Sequence, residues 1–292
     1  MLTVPMIIQK IYKNAVLPKI NSNPVMAKIY KKSAVGRKLI NKIVGKTLRE
    51  TFGGRMRFYG IGGAKLDGTV EKFLLEANFP YAIGYGLTEC SPLLAGATPD
   101  LVKWQTTGPA VPGVQLRINN PDPVTGEGEI VAKGPNVMLG YYKDPERTRA
   151  AFTEAGWFRT NDLACIDAKG KYYIKGRLNN MILGASGENI YPEEIEKVIN
   201  DIEEVNESIV MQRGGKLVGL VTFNDNVIDW DQQGEEEFFK KLDEYKQRIL
   251  KIVNKKVNKS SKVGAVEVMK EPFEKTATKK IRRFVYKDAE GM

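Results

Sequence analysis

Apolar and polar positions in the first 50 residues follow a helical period. Ile8 and Tyr12 lie on one such apolar stripe, which predicts helices, and Pro18 and Pro24 predict interruptions of the helical run. We therefore expect residues 5–49 to be helical and broken near both prolines.

The pattern then changes to short apolar runs separated by glycine turns. Residues 56–61 and 81–85 are predicted strands, and Asp67 is a candidate cap for a helix between them that runs to Asn78. The next hundred residues, roughly, carry further short strands at the close spacing that is typical of a small β subdomain. These strands are expected at residues 114–118, 129–132, 163–167 and 171–174.

Helices and strands are mixed in the last third of the chain. Pro192 suits the first position of a helix, and Glu193 and Glu194 suit its positive end. Residues 235–258 show a long helical apolar stripe with lysines on the other faces. We place a domain boundary near residues 176–180. The strands of this part are expected at residues 208–212, 217–224 and 265–269.

The positive charge of the chain is concentrated at one end. Of the 45 basic and 35 acidic residues, 11 basic residues and one acid, Glu50, lie in residues 1–50, which leaves 34 of each in the remainder. Such a segment suits nucleic acid, an anionic membrane surface or an acidic protein surface, and it also fits lysines on the solvent side of ordinary helices. The balanced remainder and the lack of an RNA-binding motif count against nucleic acid.

The chain contains no histidine, which excludes catalytic triads, Cys-His nucleophiles and histidine-based zinc sites. Cys90 and Cys165 form no CxxC motif, so neither a zinc ribbon nor a disulfide framework is expected. No apolar stretch is long enough to span a bilayer, and the opening residues lack the features of a secretory signal. These features favour a soluble protein in the reducing cytoplasm.

The run Tyr85-Gly86-Leu87-Thr88-Glu89 carries the first candidate chemistry. It follows a predicted strand and combines an aromatic ring, a glycine that lets a ligand approach the backbone, a hydroxyl and a carboxylate. A nucleotide fits this set, with Tyr85 on the base, Thr88 on a phosphate and Glu89 on magnesium. Taken alone, the run is more typical of a strand followed by a turn than of a nucleotide site.

Other segments have similarly ambiguous chemistry. Gly62, Gly63 and Ala64 form a glycine turn that does not match the GxGxxG fingerprint. Asp162 has the two acceptors that a ribose diol needs, and Arg177 is a fixed cation at the end of a strand, although both residue types are common in caps and surface salt bridges. The basic residues 275–283 suit a polyanion or a solvated helix start.

The order of these segments makes the chain recognisable. It resembles the adenylate-forming superfamily, and within it the long-chain fatty-acid–CoA ligases, over nearly its whole length. Seven colinear blocks carry the resemblance: GGAKL, GYGLTECSPL, GEGEIVAKGPNVMLGYYKDPE, GWFRTND, YYIKGRLNNMI, SGENIYPEEIE and EKTATKKIRR.

The resemblance implies a mixed α/β (α+β) fold. Residues 1–176 would be the C-terminal portion of the large AMP-binding domain, including a β subdomain. Residues 177–180 would be the hinge, and residues 181–292 a small, mobile α+β lid domain. The residue at the hinge is Asn179, where Asp or Lys is commoner in the superfamily.

The resemblance also implies a reaction. Members of the superfamily use magnesium and ATP to convert a carboxylic acid to an acyl-adenylate with release of pyrophosphate. They then pass the acyl group to coenzyme A and release AMP. Long-chain fatty acid, ATP and coenzyme A are therefore the expected substrates.

The resemblance implies site residues for the nucleotide, for coenzyme A and for the adenylation step. Gly62, Gly63, Ala64, Tyr85 and Gly86 would line the adenine site, with Thr88 on the α-phosphate, Glu89 on magnesium, and Asp162 with Arg177 on the ribose. The loop Ser186-Gly187-Glu188 would face the coenzyme A channel. Lys280 matches the adenylation lysine, whose ammonium would neutralise charge as the carboxylate attacks the α-phosphate.

One element of the superfamily does not occur in these 292 residues. The phosphate-binding loop, a run rich in Ser, Thr and Gly that ends in Pro-Lys, is missing from the sequence. We therefore expect the chain to correspond to the C-terminal half of a ligase, to need the other half of the same protein, and to be unable to adenylate alone. The basic residues 1–50 would face that other half or a membrane surface. The alternatives are a ligase for acyl carrier protein, another adenylating enzyme, or a non-catalytic module that binds AMP.

Overall fold

The structure is a computed structural model that describes residues 1–184, 187–225, 227–232, 236–276 and 280–287. The chain divides into two compact units, Met1–Lys175 and Gly176–Met292. Which functional domains these units represent stays a prediction. Among the described residues, no helix has the length and apolar character needed to cross a bilayer.

The first unit opens with a helical layer. It comprises α1 (Pro5–Ile11), a π-helical turn (Tyr12–Val16), α2 (Leu17–Asn21), α3 (Pro24–Lys32) and α4 (Ala34–Thr51). The α-helical run is interrupted near Pro18 by the π-helical turn, and this proline lies in the first turn of α2, where a missing N–H is tolerated. A break that was not predicted occurs at Ser33, whose hydroxyl caps α4 by accepting from the Gly36 N–H at 3.1 Å.

A four-stranded sheet lies beside these helices, in the order β1-β2-β3-β4. The strands β1, β2 and β3 are parallel, and β4 is antiparallel to β3. Their bounds are Leu2–Thr3 for β1, Tyr59–Ile61 for β2, Tyr81–Gly86 for β3 and Leu93–Gly96 for β4. The strand β2 is shorter than the predicted 56–61, since β3 begins at Tyr81, directly opposite Tyr59. Asp67 caps α5 (Gly68–Glu76) as expected.

The core of this part is formed by side chains from the helices and the sheet. Ile8, Val44, Phe73, Tyr59 and Tyr81 are among its buried members. The predicted apolar stripe of α1 thus faces the sheet, which fixes the layer on which the strands rest.

The predicted β subdomain follows. It is a second four-stranded sheet in the order β5-β6-β7-β8, and α6 (Pro145–Ala150) lies between β6 and β7 in sequence. The strand β7 begins earlier than the predicted residue 163. The bounds are Gln115–Asn119 for β5, Gly128–Lys133 for β6, Phe158–Ile166 for β7 and Tyr172–Arg177 for β8.

The second unit is an α+β arrangement around a three-stranded sheet in the order β11-β12-β13. A short antiparallel pair, β9 and β10, precedes α7, which begins at Pro192 as predicted. The core packs Ile195 and Ile199 of α7 and Ile249 of α8 against this sheet. The bounds are Ile182–Leu183, Asn189–Ile190, Val205–Arg213, Lys216–Phe223 and Val263–Val268 for β9 to β13, Pro192–Asn200 for α7 and Glu236–Lys256 for α8.

Candidate functional site

Two of the predicted site segments leave the first sheet at the same edge. The parallel strands β2 and β3 pair in register, with Ile61 opposite Ile83, so the residues just after β2 lie beside the last residues of β3. Gly62 follows β2, and a Cβ atom at this position would lie 3.4 Å from the carbonyl oxygen of Gly84 in β3. Gly63 adopts a φ of +88°, a conformation that side chains rarely tolerate. Ligands commonly bind outside the carboxyl ends of parallel strands.

Tyr85, near the end of β3, contacts the β subdomain. Its hydroxyl donates a hydrogen bond of 2.8 Å to Oδ2 of Asp162, 77 residues later in the chain. Both residues are buried, with exposures of 8% for Tyr85 and 5% for Asp162. The residue predicted to stack on adenine and the residue predicted to hold ribose are therefore direct neighbours.

A bulge in β7 presents Asp162. The five residues of β7 from Arg159 to Leu163 lie opposite only three residues of β6, from Val131 to Glu129. Asn161 in the middle has a φ of +57°. Such bulges re-aim side chains and are frequent next to active sites.

Thr160 fastens this bulge to the sheet. Its hydroxyl donates to the carbonyl oxygen of Ile130 at 2.7 Å and accepts from the N–H of Asp162 at 3.1 Å. Thr160 is also buried. Its two hydrogen bonds therefore fix the backbone of Asp162, the residue that accepts from Tyr85.

Gly86 ends β3 where the chain turns sharply. A Cβ atom at this position would lie 1.8 Å from the carbonyl oxygen of Pro92, so only glycine fits without a backbone shift. A 3₁₀ turn, Thr88–Cys90, follows directly. Gly86 and Thr88 are exposed, which leaves the Thr88 hydroxyl accessible to a ligand.

Glu89 is held by a residue that sequence reasoning did not single out. The hydroxyl of Tyr141 donates to Oε1 of Glu89 at 3.1 Å, and the guanidinium of Arg147 lies 4.4 Å from the centre of the Tyr141 ring. Burial, together with the bond to Glu89, raises the pKa of the Tyr141 hydroxyl, so this group remains a donor at neutral pH. Tyr141 lies in the GYYKDPE part of a block that carries the family resemblance. Nothing in the sequence indicated that its hydroxyl would bind Glu89.

The site offers a magnesium ion one carboxylate, that of Glu89, and not a complete set of protein ligands. Among the described residues, no group of three or more acidic, cysteine or histidine side chains is placed to hold a metal. Oε1 of Glu89 accepts the hydrogen bond from Tyr141. This bond fixes the orientation of the whole carboxylate, including Oε2. One carboxylate is compatible with Mg²⁺, which is usually bound by one or two carboxylates together with substrate phosphates.

Cys90 supplies no reactive thiol to this edge. Both are free, and Cys90 is fully buried. Burial, and to a lesser degree the neighbouring Glu89, raises the pKa of the Cys90 thiol to about 11, which keeps it protonated and unreactive at neutral pH.

The remaining predicted residues belong to the second unit. Arg177 ends β8, and Asn179 is exposed in the 3₁₀ turn Leu178–Asn180. The side-chain amide of Asn180 donates to Oε1 of Glu193 at 2.7 Å, which ties this turn to α7.

The predicted coenzyme A loop lies between β9 and β10. Gly187 has a φ of +83°, and its N–H donates to the Gly184 carbonyl oxygen at 3.0 Å. The N–H of Gly184 in turn donates to the backbone oxygen of Glu188 at 2.8 Å. Ser186, the third predicted member of this loop, lies outside the described residues.

Lys280 is exposed and closes a short loop. Its backbone oxygen accepts from the N–H of Thr276 at 2.8 Å, and its N–H donates to the Thr276 hydroxyl at 3.2 Å. Residues 277–279 lie outside the described part of the chain. Ion pairs hold both flanks of the loop: Lys275 pairs with Glu207 at 2.7 Å, and Arg283 pairs with Glu196.

Comparisons with known proteins show which proteins the chain resembles. Residues 1–142 match the family model described as AMP-binding enzyme. The chain is 36% identical over 155 residues to the long-chain-fatty-acid–CoA ligase heimdall of Drosophila melanogaster, which covers 53% of this chain and 22% of that protein. It is 38% identical over 164 residues to the 2-succinylbenzoate–CoA ligase of Oceanobacillus iheyensis, which covers 53% of this chain and 33% of the relative. The matched part thus spans a third or less of these relatives.

A solved structure shows the same fold. O-succinylbenzoate CoA synthetase (MenE) from Bacillus subtilis, in complex with the acyl-adenylate intermediate OSB-AMP, superposes with a TM-score of 0.67 at 23% identity. The match covers 86% of this chain and 51% of that chain. The predicted mixed α/β fold is therefore confirmed.

Proposed function

We propose that the chain is the C-terminal half of a long-chain fatty-acid–CoA ligase, because residues 1–142 match the family of AMP-binding enzymes and part of the chain is similar to such a ligase. The proposed reaction converts fatty acid, ATP and coenzyme A to acyl-CoA, AMP and pyrophosphate through an acyl-adenylate. The bond between Tyr85 and Asp162 at the carboxyl edge of the sheet is the observation that carries this proposal.

AMP would bind at this edge. The backbone of Gly62, Gly63 and Ala64 would line one side of the adenine, and Tyr85 would lie against the ring. Asp162 would accept from the ribose hydroxyls, because a carboxylate offers two acceptor oxygens to a diol. Arg177 would assist at the ribose.

The phosphate end of the nucleotide would lie at the turn after β3. Thr88 is exposed there and would donate to an oxygen of the α-phosphate. Glu89 would hold magnesium through the carboxylate that Tyr141 orients. The ion would supply neutralising charge to the phosphates.

Lys280 would provide the fixed positive charge of the adenylation step. The fatty-acid carboxylate and the α-phosphate are both anions, so an ammonium beside both oxygens stabilises their approach. A carboxylate is already a nucleophile at neutral pH, which is why no histidine base is required. In the second step, rotation about Asn179 would bring the loop of Ser186, Gly187 and Glu188 towards coenzyme A.

Calorimetric titration of this chain with AMP tests the nucleotide site. We expect saturable binding that Asp162→Asn weakens about tenfold or more, as loss of a charged hydrogen-bond acceptor predicts. Asp243→Asn, an exposed carboxylate on α8, is the control and should bind AMP like the parent chain. Absence of binding, or equal binding by both variants, would contradict the assignment.

The identity of the acid substrate is tested by adding a presynthesised acyl-adenylate to the chain. Faster transfer to coenzyme A from palmitoyl-AMP than from 2-succinylbenzoyl-AMP is expected, and the reverse order would assign the other acid. Pyrophosphate exchange with palmitate should stay at background, since the sequence contains no phosphate-binding loop. Exchange above background would contradict the proposed incapacity of the isolated chain.

The same missing loop favours a second candidate, a module that binds AMP without turnover. Saturable AMP binding with no acyl transfer to coenzyme A or to acyl carrier protein would support it over the ligase. Transfer to the carrier protein alone would identify that protein as the thiol acceptor.

A further inference from the structure

A buried acid, Glu129 of β6, lies against the bulge of β7 that presents Asp162. Glu129 is 9% exposed, and the pairing of the two strands places it opposite Leu163, the residue after Asp162. Its Oε1 accepts from the N–H of Asn161 at 3.3 Å, and its Oε2 accepts from the guanidinium of Arg159 at 3.0 Å. The carboxylate thus binds both a backbone group and a side chain of the bulge.

The bond to Asn161 meets a need that the bulge creates. A bulge interrupts the ladder of backbone hydrogen bonds between two strands, so the N–H groups of its extra residues require other acceptors. Asn161 has a φ of +57°, and the Glu129 side chain accepts its N–H. Without this acceptor, the peptide group directly before Asn161 would lose a contact that fixes its orientation, and Asp162 is the next residue in the chain.

Two successive backbone N–H groups of the bulge are held by side chains. Glu129 accepts the N–H of Asn161, and the hydroxyl of Thr160 accepts the N–H of Asp162. Thr160 and Asp162 are buried, whereas Asn161 between them is exposed. The direction of the Asp162 side chain therefore depends on both acceptors and not on Thr160 alone.

Ribose recognition depends on that direction. A carboxylate accepts from both hydroxyls of a diol only when its two oxygens face them, so the groups that support it must hold it closely. The contacts proposed for adenine at Gly62 and for phosphate at Thr88 come from other segments of the chain. A change at Glu129 should therefore weaken recognition of the diol more than recognition of the rest of the nucleotide.

We propose that Glu129 is a positioning residue of the nucleotide site. Through its bond to the N–H of Asn161, it keeps Asp162 directed at the ribose diol and so sets how strongly the chain prefers AMP to a nucleotide without ribose hydroxyls. The inference rests on the proposed function, in which Asp162 accepts from the ribose. An ion pair with Arg159, which is 41% exposed, would need only the charge of Glu129, whereas the proposed role needs an oxygen within reach of Asn161.

Calorimetric titration with AMP and with 2′,3′-dideoxy-AMP tests the proposal through the ratio of the two affinities. The parent chain should bind AMP about tenfold or more tightly, as hydrogen bonds to a charged acceptor predict. Glu129→Gln keeps the side-chain length and an oxygen for Asn161, so it should keep most of this preference. Glu129→Asp keeps the charge but is one methylene shorter, and it should lose the preference severalfold, as should Glu129→Ala.

Amide hydrogen exchange gives a second readout, which needs no nucleotide. The Asn161 amide should exchange severalfold faster in Glu129→Asp and Glu129→Ala than in the parent chain or in Glu129→Gln. Glu127→Ala is the matched control, because it removes another acid of the same subdomain, which pairs with Lys175 at 3.0 Å. This control should keep both the preference for AMP and the slow exchange of Asn161.

The outcomes separate this inference from the proposed function. A parent chain that binds no AMP, or binds both nucleotides equally, would contradict the ribose site and the inference with it. If the parent chain shows the preference, then Glu129→Asp and Glu129→Ala variants that keep it, or that weaken both nucleotides equally, would overturn the inference alone.

The matched pair of substitutions gives the decisive comparison. Glu129→Gln losing as much preference as Glu129→Asp would also overturn the inference, because the charge of Glu129 and not its reach would then matter. Thermal unfolding identifies a variant that does not fold, and the pair decides the question without Glu129→Ala.

Discussion

The hydroxyl of Tyr85 donates to the carboxylate of Asp162 at 2.8 Å and so joins the first sheet to the β subdomain. Both side chains are buried, and a buried carboxylate depends strongly on each of its donors. The bond therefore couples the position of a ring proposed to contact adenine to the position of an acid proposed to contact ribose.

Tyr85→Phe should keep the ring and lose the donor. We expect AMP affinity to fall severalfold, because the Asp162 carboxylate is no longer oriented, and the free energy of unfolding to fall by about 1–3 kcal/mol. Calorimetric titration with AMP and denaturant unfolding measure the two effects.

The control for this prediction is a nucleotide without ribose hydroxyls. Tyr85→Phe should weaken binding of AMP but change the affinity for 2′,3′-dideoxy-AMP little. An equal loss for both nucleotides would show that Tyr85 acts through the ring alone, and not through Asp162.

Local sequence patterns predicted many elements of the fold. The strand β3, the Asp67 cap and the start of α7 follow from alternation, capping residues and proline position, which are local features. The adjacency of Tyr85 and Asp162 is not local, since it needs the packing of two sheets and a bulge in β7. The resemblance to the superfamily brought both residues into one site, but it gave no geometry.

Tyr141 illustrates what the sequence could not supply. It donates to Glu89 from 52 residues away, and a tyrosine in a loop carries no signal of its partner. The exposure of Val35, Leu39 and Ile43 on α4 could not be predicted either. Apolar residues at every fourth position give the same sequence pattern whether they face the core or the solvent.

Gly86→Ala should disrupt the turn that carries Thr88. The new Cβ atom would lie 1.8 Å from the Pro92 carbonyl oxygen, so the backbone of β3 or of the following turn must move. We expect a loss of about 3 kcal/mol or more in the free energy of unfolding and loss of AMP binding. Thermal and chemical unfolding, together with AMP titration, give the measurement.

Gly84→Ala is the matched control in the same strand. Its Cβ atom would meet only the end of the Leu93 side chain, at 3.0 Å, and that side chain can rotate away. If Gly86→Ala were no more destabilising than Gly84→Ala, the turn after β3 would be more adaptable than the structure indicates.

The Glu76 carboxyl should make the first unit sensitive to acid. Burial acts to raise the pKa of Glu76, but hydrogen bonds from Arg37 and Asn41 outweigh it, and the pKa lies below the ordinary 4.5. The unfolded chain then binds more protons than the folded one in this range, so stability is fully present above pH 4.5 and is lost as the pH falls through the lowered pKa.

Glu76→Gln removes this titration. Its free energy of unfolding should therefore fall less than that of the parent chain as the pH is lowered from neutrality into the acid range. Glu50→Gln, an exposed acid near the end of α4, should behave like the parent chain. Parallel curves for the parent chain and Glu76→Gln would contradict the prediction.

The buried pair of Glu196 and Arg283 should stabilise the second unit and the flank of Lys280. Glu196 is 6% exposed, and its Oε1 accepts from Arg283 and from the Val210 N–H, each at 2.6 Å. Replacing Glu196 by Gln removes the nearer of two counter-charges from the largely buried Arg283 guanidinium and leaves Glu193 at 3.8 Å, which costs roughly 3 kcal/mol. Denaturant unfolding followed by the fluorescence of Trp230, which packs on Phe238 in the same unit, should show this loss.

The neighbouring arginine provides the comparison. Arg282 pairs with Glu274 at 3.1 Å on the surface, with side-chain exposures of 43% and 56%, so Arg282→Gln should cost less than about 1 kcal/mol. The double variant Glu196→Met, Arg283→Met should be more stable than Glu196→Gln, because it buries no unpaired charge. If Glu196→Gln and Arg282→Gln had equal effects, the Arg283 side chain would be reaching water in solution, and Glu196 would not anchor the segment that carries Lys280.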